Sequence, residues 1–218
     1  MRDVIAIETK RLKLRGLQHS DAAAIARYCG DPGVGRNLAM TPLPYLESAA
    51  EGWIMIVRAR APAGRDFVFG VELAGEGLIG CIGAHQVSGV RRQVSEEMAI
   101  ADTRHLTPDA CFEVGYWLGR PFWGQGFATE VLQAFVAEAQ ALGALEAGHF
   151  VDNPASGRVL AKGGFAYTGE VKPMFSLARG ERVACKRMRF DLALDGGLAL
   201  RQAQGDASGV RSEKTASC

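Results

Sequence analysis

Residues 112–143 read FEVGYWLGRPFWGQGFATEVLQAFVAEAQALG, and the change of period inside this stretch decides the fold. Phe112, Val114, Tyr116, Trp117 and Leu118 form a β-branched and aromatic run that predicts a strand. Gly119 and Pro121 end it, since proline has no amide hydrogen and a fixed φ. After Gly126 the apolar residues Ala128, Val131, Leu132, Phe135, Ala139 and Leu142 recur at helical spacing, which predicts one buried face of a long helix ending near Gly143. Gly124 and Gly126 sit where strand turns into helix. The first helical amides there have no partner, and two positions without side chains let an anion approach a positive helix end. A pyrophosphate suits such a cradle, and a tight turn with no ligand suits the same glycines.

Outside this stretch the chain reads as alternating strands and helices. Leu12 and Leu14 alternate with Arg11, Lys13 and Arg15 as in a half-buried strand. Ser20 and Asp21 offer caps for a helix over 22–29, which Asp31, Pro32 and Gly33 break. A second helix is expected over 45–60, with Leu46, Ala49, Trp53, Ile56 and Val57 on its apolar side. Trp53 there reads as a buried anchor or as a pocket wall. The runs 67–73 and 78–85, joined by Ala74-Gly75-Glu76-Gly77, predict a hairpin with His85 just past its end. A strand over 147–151 leads through Asp152 to a helix with Asn153 as N-cap and Pro154 in its first position. That helix stops at Gly163 and Gly164, and a closing hairpin follows around Arg179 and Gly180. The strand over 112–118 and the one over 147–151 are expected to run parallel, because a helix links them.

Composition narrows the class. The 218 residues are 48% hydrophobic and 22% charged with a net charge of +1, which fits one globular domain and gives no support for nucleic-acid or membrane-surface binding. The five cysteines (Cys29, Cys81, Cys111, Cys185 and Cys218) are odd in number and lack metal-ligand spacing, so reduced thiols and a cytoplasmic location are expected, with no metal. No apolar run reaches the ~18 residues of a membrane span. Residues 86–111 form a mostly polar insert, far longer than an ordinary connection, and after Leu194 the composition shifts to that of a mobile tail. The domain is therefore expected over 1–194 and the tail over 195–218.

WGQGFATE (123–130) followed by DNPASGRVLAKGGF (152–165) resembles the acetyl-CoA-binding core of the GNAT N-acetyltransferases. ETKRLKLRGLQHSDAAAIARYCGDP (8–32) and GLIGCIGAH (77–85) extend the resemblance, in order, over residues 7–192. It is closest to the branch of the ribosomal-protein N-terminal alanine acetyltransferases. The resemblance implies a single α/β domain, with a mixed twisted sheet flanked by helices. It also implies direct transfer of an acetyl group from acetyl-CoA to a primary amine, on a protein N-terminus or a small molecule. The cofactor would be held by Trp123, Gly124, Gln125, Gly126, Phe127, Ala128 and Thr129, by main-chain groups of Tyr116 and Leu118, and by Asn153. Ser156 matches the serine near the thioester sulfur, and Glu113 matches a strand glutamate that serves as base; Ser156 is equally readable as a first-turn serine with a local bond, and Glu113 also reads as a solvent-facing glutamate on a strand edge. His85 is a further candidate proton acceptor.

Two departures from the wider family stand out. Leu160 occupies the helix position where many members carry a tyrosine acid. Trp123 stands where a glutamine or arginine is usual, leaving pyrophosphate recognition to backbone amides. Other readings remain open. A catalytically silent acyl-CoA sensor would keep the same cradle. A dinucleotide oxidoreductase would use Gly124 and Gly126 with Glu146, although Thr129 replaces its third glycine. The acceptor amine and a homodimer are left open by the sequence.

Overall fold

The computed structural model describes residues 6–87 and 110–190. Residues 88–109, the bulk of the polar insert, and the tail over 195–218 lie outside the described residues. The strands are β1 (Ile7–Glu8), β2 (Leu12–Arg15), β3 (Asp66–Leu73), β4 (Gly77–Gln86), β5 (Cys111–Leu118), β6 (Ala144–Phe150), β7 (Phe165–Ser176) and β8 (Glu181–Phe190). The helices are α1 (Ala22–Cys29), the single turn α2 (Pro32–Gly35), α3 (Glu47–Arg60), α4 (Phe127–Ala139) and α5 (Pro154–Lys162). All eight strands join one sheet in the order β1-β2-β3-β4-β5-β6-β8-β7. Every neighbouring pair is antiparallel except β5 and β6, which run parallel with α4 between them in sequence.

Strand alternation divides the core into two layers. Ile82 packs with Phe112, Val114, Val131, Leu132, Phe135, Leu145 and Leu160 beneath α4 and α5. Its neighbour Cys81 packs with Ile25, Ile54, Val57 and Val68 beneath α1 and α3. Leu132 and Phe112 are fully buried. Each such side chain contributes about 1.5–3 kcal/mol, so the first layer fixes where α4 begins.

Several local expectations need correction. The inner face of α3 is Ala50, Ile54 and Val57, whereas Leu46 and Ile56 are mostly exposed. The spacing of Ala50, Ile54 and Val57 meets Ile25 and Val68, so contact with α1 and the sheet overrides residue type. Trp53 is half-buried against that second layer. Asp21 stands at the N-cap of α1, but its side chain makes no capping bond to that helix. Its carboxylate accepts from the Gln18 amide at 2.7 Å and from Arg15 at 2.8 and 2.9 Å. His85 lies within β4 rather than past it, β6 begins at Ala144, and β7 begins at Phe165. Beyond Ala139 the helix tightens into a 3₁₀ turn, Gln140–Leu142, before Gly143 at φ 135°.

Candidate active site

The site begins where two strands part. The β5–β6 ladder has four pairs, from Cys111 with Ala144 to Val114 with Ala147, and then stops. Past it, β5 continues to Leu118 on β4 and β6 continues to Phe150 on β8. Val87 N–H bonds the Cys111 carbonyl and Gly119 N–H bonds the Ile79 carbonyl, so odd-numbered residues of β5 direct their main-chain groups to β4. Ala144 N–H bonds the Ala110 carbonyl, so even-numbered ones face β6. Tyr116 and Leu118 therefore present main-chain groups to a gap with no partner strand among the described residues. One of these groups is engaged, since the Trp123 indole N–H donates to the Leu118 carbonyl at 2.7 Å.

The glycine turn stands at the mouth of this gap. Gly124 and Gly126 have φ of 75° and 81°, the left-handed region that glycine adopts without strain. Gly126 is the N-cap of α4, and the first helical bond runs from Glu130 N–H to the Gly126 carbonyl at 3.1 Å. The amides of Phe127, Ala128 and Thr129 precede that bond and are the orphan donors of the helix end. A β-carbon on Gly124 would meet nothing within 4 Å and one on Gly126 only Arg11 Nη2 at 3.5 Å, so neither glycine of the turn is crowded. Arg11 braces the turn from the N-terminal side of β2. It donates to the Gln125 carbonyl at 3.0 Å and to Glu130 at 2.8 Å, with its guanidinium 4.3 Å from the Phe127 ring centroid. Partial burial pushes the Glu130 carboxyl upward, but bonds from Thr9 and Arg11 outweigh it and hold the group below its ordinary value. Gln125 bonds the Pro121 carbonyl at 2.9 Å.

Across the gap, α5 starts as the sequence suggests. Asn153 accepts from the Ser156 amide at 3.3 Å, with Pro154 in the first turn. The Tyr116 phenol crosses from β5 to meet Ser156, 2.9 Å from its Oγ and 3.2 Å from its carbonyl oxygen. Burial pushes this phenol up to about 12, against a smaller lowering by Ser156. Leu160, one turn further along α5, is fully buried in the core. Beneath α5, His149 has Nδ1 2.8 Å from the Phe150 carbonyl and Nε2 3.0 Å from the Tyr167 hydroxyl. A carbonyl only accepts, so the proton sits on Nδ1 and Tyr167 donates to Nε2.

The opposite face of the sheet carries charge. Both oxygens of Glu113 accept from Arg187, one at 2.8 Å from Nη1 and the other from Nη2. Arg187 Nη2 also reaches Glu146 at 3.4 Å, and Arg189 reaches Glu146 at 2.7 Å. The Arg189 bond is the main cause that holds the Glu146 carboxyl below its ordinary value, and the Glu113 bond raises the Arg187 guanidinium. His85 is the cross-strand partner of Glu113. Its Nδ1 lies 3.0 Å from the buried Asp66 carboxylate, which also accepts from Arg60 at 2.8 Å. Asp66 thus holds Nδ1 of this half-exposed ring, and Nε2 is the ring nitrogen outside that bond.

The tip of the β7–β8 hairpin closes the splayed end. Arg179 clamps Asp152 at 2.7 and 3.1 Å, donates to the Arg36 carbonyl at 2.8 Å and lies over the Phe150 ring. Leu177 N–H bonds the Ala39 carbonyl at 2.9 Å, so the hairpin is tied to the segment after α2.

The structure thus gathers Tyr116, Leu118, Trp123, Gly124, Gln125, Gly126, Phe127, Ala128 and Thr129 on one edge of the gap, with Asn153 and Ser156 on the other. Glu113 lies on the far face of the same sheet. Sequence reasoning missed Arg11, Arg187, Asp66 and the side chain of Tyr116. Only Asp66 had a local signal. Counting back from the hairpin turn places it one residue from opposite His85, and a bulge between Val71 and Glu72 supplies the remaining shift. Arg187 lies 74 residues from Glu113, and nothing in the local pattern joins them. Among the described residues, no helix is long and apolar enough to cross a membrane and no His/Cys/Asp/Glu group could hold a metal ion.

Comparison with known proteins gives this geometry a context. A family model described as an acetyltransferase (GNAT) domain matches residues 11–166. The uncharacterized N-acetyltransferase YoaA of Bacillus subtilis (strain 168) is 29% identical over 170 residues, covering 76% of this chain and 85% of that protein. Among solved structures, RimL, a ribosomal L7/L12 alpha-N-protein acetyltransferase in complex with coenzyme A, is similar with a TM-score of 0.66. It is 15% identical and covers 85% of this chain and 97% of its own. The ribosomal-protein-S5-alanine acetyltransferase of Vibrio fischeri is similar with a TM-score of 0.63 at 18% identity, covering 86% of this chain and 98% of its own. At these identities the two structures speak to the fold alone.

Proposed function

This chain belongs to the GNAT acetyltransferase family and is an acetyl-CoA-dependent N-acetyltransferase, and we propose that its acceptor is the α-amine of a peptide or protein N-terminus. The observation that carries the site assignment is the β5–β6 ladder that stops after four pairs beside a helix start preceded by two uncrowded, positive-φ glycines. Acetyl-CoA would supply an activated acyl group whose sulfur leaves as a thiolate. The residues fit it: Tyr116 and Leu118 offer main-chain groups to the pantetheine arm as a further strand would. The amides of Phe127, Ala128 and Thr129 meet the pyrophosphate behind Trp123, Gly124, Gln125 and Gly126, and Asn153 faces the arm from α5. Ser156 hydrogen-bonds the leaving sulfur. The reading extends to a catalytic domain over 1–194, with 195–218 as a tail outside it, working in the cytoplasm.

The acceptor follows from the charged face. An amine must be neutral to attack, and each Glu113 oxygen already accepts a bond from the Arg187 cation, so the amine's proton would go to a remaining lone pair beside a fixed positive charge. Such a site suits an amine that is already partly neutral near pH 7. An α-amine titrates at about 7.7–8.0 and a lysine at about 10.4, so the α-amine needs far less help. The RimL and Vibrio fischeri proteins are named for ribosomal-protein acetylation, which points the same way. Glu113, acting through water, remains the base of this reading. His85 is the second candidate, because Asp66 holds Nδ1 and leaves Nε2 outside that bond.

The test is a panel of matched peptides with acetyl-CoA, read by thiol release and mass. One carries a free N-terminus and no lysine, and another carries a blocked N-terminus and an internal lysine. Acetylation of the first and not the second is expected. Acetylation of lysine alone, or of small amines alone, would overturn the acceptor. Glu113→Gln should lower kcat most near and below neutral pH, where the α-amine still carries its proton, and least at high pH, where the amine is already neutral; if His85→Asn does so instead, the histidine is the base.

A further inference from the structure

The departure that most needs an explanation is Leu160, a buried apolar residue at the helix position where the resemblance leads one to look for a tyrosine. A tyrosine does reach the first turn of α5, but from the other side of the gap. Tyr116 sits on β5, its ring packs against the core beneath α4 and α5, and its hydroxyl lies 2.9 Å from Ser156 Oγ. Ser156 is held from three directions. Its amide donates to Asn153, its carbonyl lies 3.2 Å from the phenol, and its own hydroxyl meets the same phenol.

We propose that Tyr116 is a positioning residue for departure of the thiolate, acting from β5 by orienting the Ser156 hydroxyl. The inference rests on the reading of Ser156 as the sulfur's hydrogen-bond donor. Two arrangements fit the three oxygens. In one, Tyr116 donates to the Ser156 carbonyl and accepts the serine's proton, leaving none for the sulfur. In the other, Tyr116 donates to Ser156 Oγ, and the serine's O–H is turned outward into the gap. The shorter contact is the one to Oγ, and a negative sulfur in the gap favours the second, because both hydroxyl dipoles then point towards the charge.

Tyr116 is not itself the acid. Burial pushes its hydroxyl up to about 12, whereas an ordinary thiol titrates near 8.5. Passing its proton to the thiolate would run uphill by a factor of roughly three thousand. The phenol stays protonated as a fixed donor. As the carbon–sulfur bond breaks, its electron pair moves to sulfur, Ser156 O–H donates a hydrogen bond to it, and water later supplies the proton. Tyr116 and Ser156 keep their own protons throughout.

The test is a double-mutant cycle of Tyr116→Phe and Ser156→Ala, read as kcat, KM for acetyl-CoA, coenzyme A affinity and melting temperature. Phenylalanine keeps the packed ring and removes only the hydroxyl. Tyr116→Phe is expected to lower kcat roughly tenfold while KM, affinity and the melt stay near those of the unmodified protein. Ser156→Ala should lower kcat at least as far, and the double variant should be no slower than Ser156→Ala alone, because the phenol acts only through the serine. Losses that multiply in the double variant, or a Tyr116→Phe defect confined to KM and the melt, would overturn the proposal. A fully active Ser156→Ala would instead remove the serine reading on which it rests. A slow Ser156→Ala beside a fully active Tyr116→Phe would remove the tyrosine's part only.

Discussion

Gly126→Val separates a phosphate cradle from a plain turn. Gly126 caps α4 at φ 81° and ψ −4°, where an L-residue costs about 1–2 kcal/mol, with a β-branched one at the upper end. No steric clash adds to this, since the new β-carbon would meet only Arg11 Nη2 at 3.5 Å. Val131, Leu132, Phe135 and Val136, which hold the helix down, are untouched. For a domain of this size 1 kcal/mol shifts the melt by about 2–4 °C, so a loss of roughly 4–8 °C is expected. Affinity should fall much further. A charge-assisted hydrogen bond contributes about 1.5–3 kcal/mol, so loss of one such bond weakens acetyl-CoA binding roughly 10- to 150-fold. Calorimetry well below the melt, paired with a ligand-free thermal scan, reads both quantities. A lowered melt with unchanged affinity would mean that the glycine serves the turn alone, and the cradle would lose its physical basis.

Other perturbations bear on the charged face and the core. Arg187→Met leaves Glu113 and Glu146 as neighbours on parallel strands without their shared cation, with Arg189 still on Glu146. At roughly 5 Å and an effective dielectric of about 20 their repulsion is about 3 kcal/mol, discounted to about 1–3 by partial exposure. One carboxyl is then raised in the folded state. The variant's deficit should therefore be small below about pH 4.5 and grow as pH rises through the raised value; a loss independent of pH would contradict the pairing. In the unmodified protein Glu130, Glu146 and Asp152 are all lowered, the last chiefly by its hydrogen bond from Arg179. Their contribution is present above the ordinary carboxylate range and lost as pH falls through the lowered values, so the melting temperature should hold down to about pH 5 and decline below about 4. Leu132→Ala, at a fully buried site against Gly163, should cost about 2–5 kcal/mol by chemical denaturation.

How much of this was legible in the sequence depends on how local each feature is. The strand–glycine–helix junction, the Asn153 cap and the β3–β4 turn each rest on residues a few positions apart, and each stands where the pattern placed it. The linking helix was enough to expect β5 and β6 in parallel. The inner face of α3 was not legible, because Leu46 and Ile56 are as apolar as Ile54 and only the position of α1 selects between them. Glu113 read as a strand carboxylate, but its occupation by Arg187 depends on the β6–β8 pairing far along the chain. Tyr116 entered through its main chain. The direction of its side chain, into the first turn of α5, follows from packing between the two arms of the gap.

The most direct measurement is amide exchange by NMR with and without acetyl-CoA. Gly115 and Trp117 should be protected in both states, since odd-numbered residues of β5 already bond β4. Tyr116 and Leu118 face the gap, so their amides should exchange freely without ligand and slow strongly with it, together with those of Phe127, Ala128 and Thr129 at the start of α4. Protection of both groups at once would place the pantetheine arm along β5 and the pyrophosphate on the helix. Acetyl-CoA that binds while these five amides stay unprotected would contradict the account.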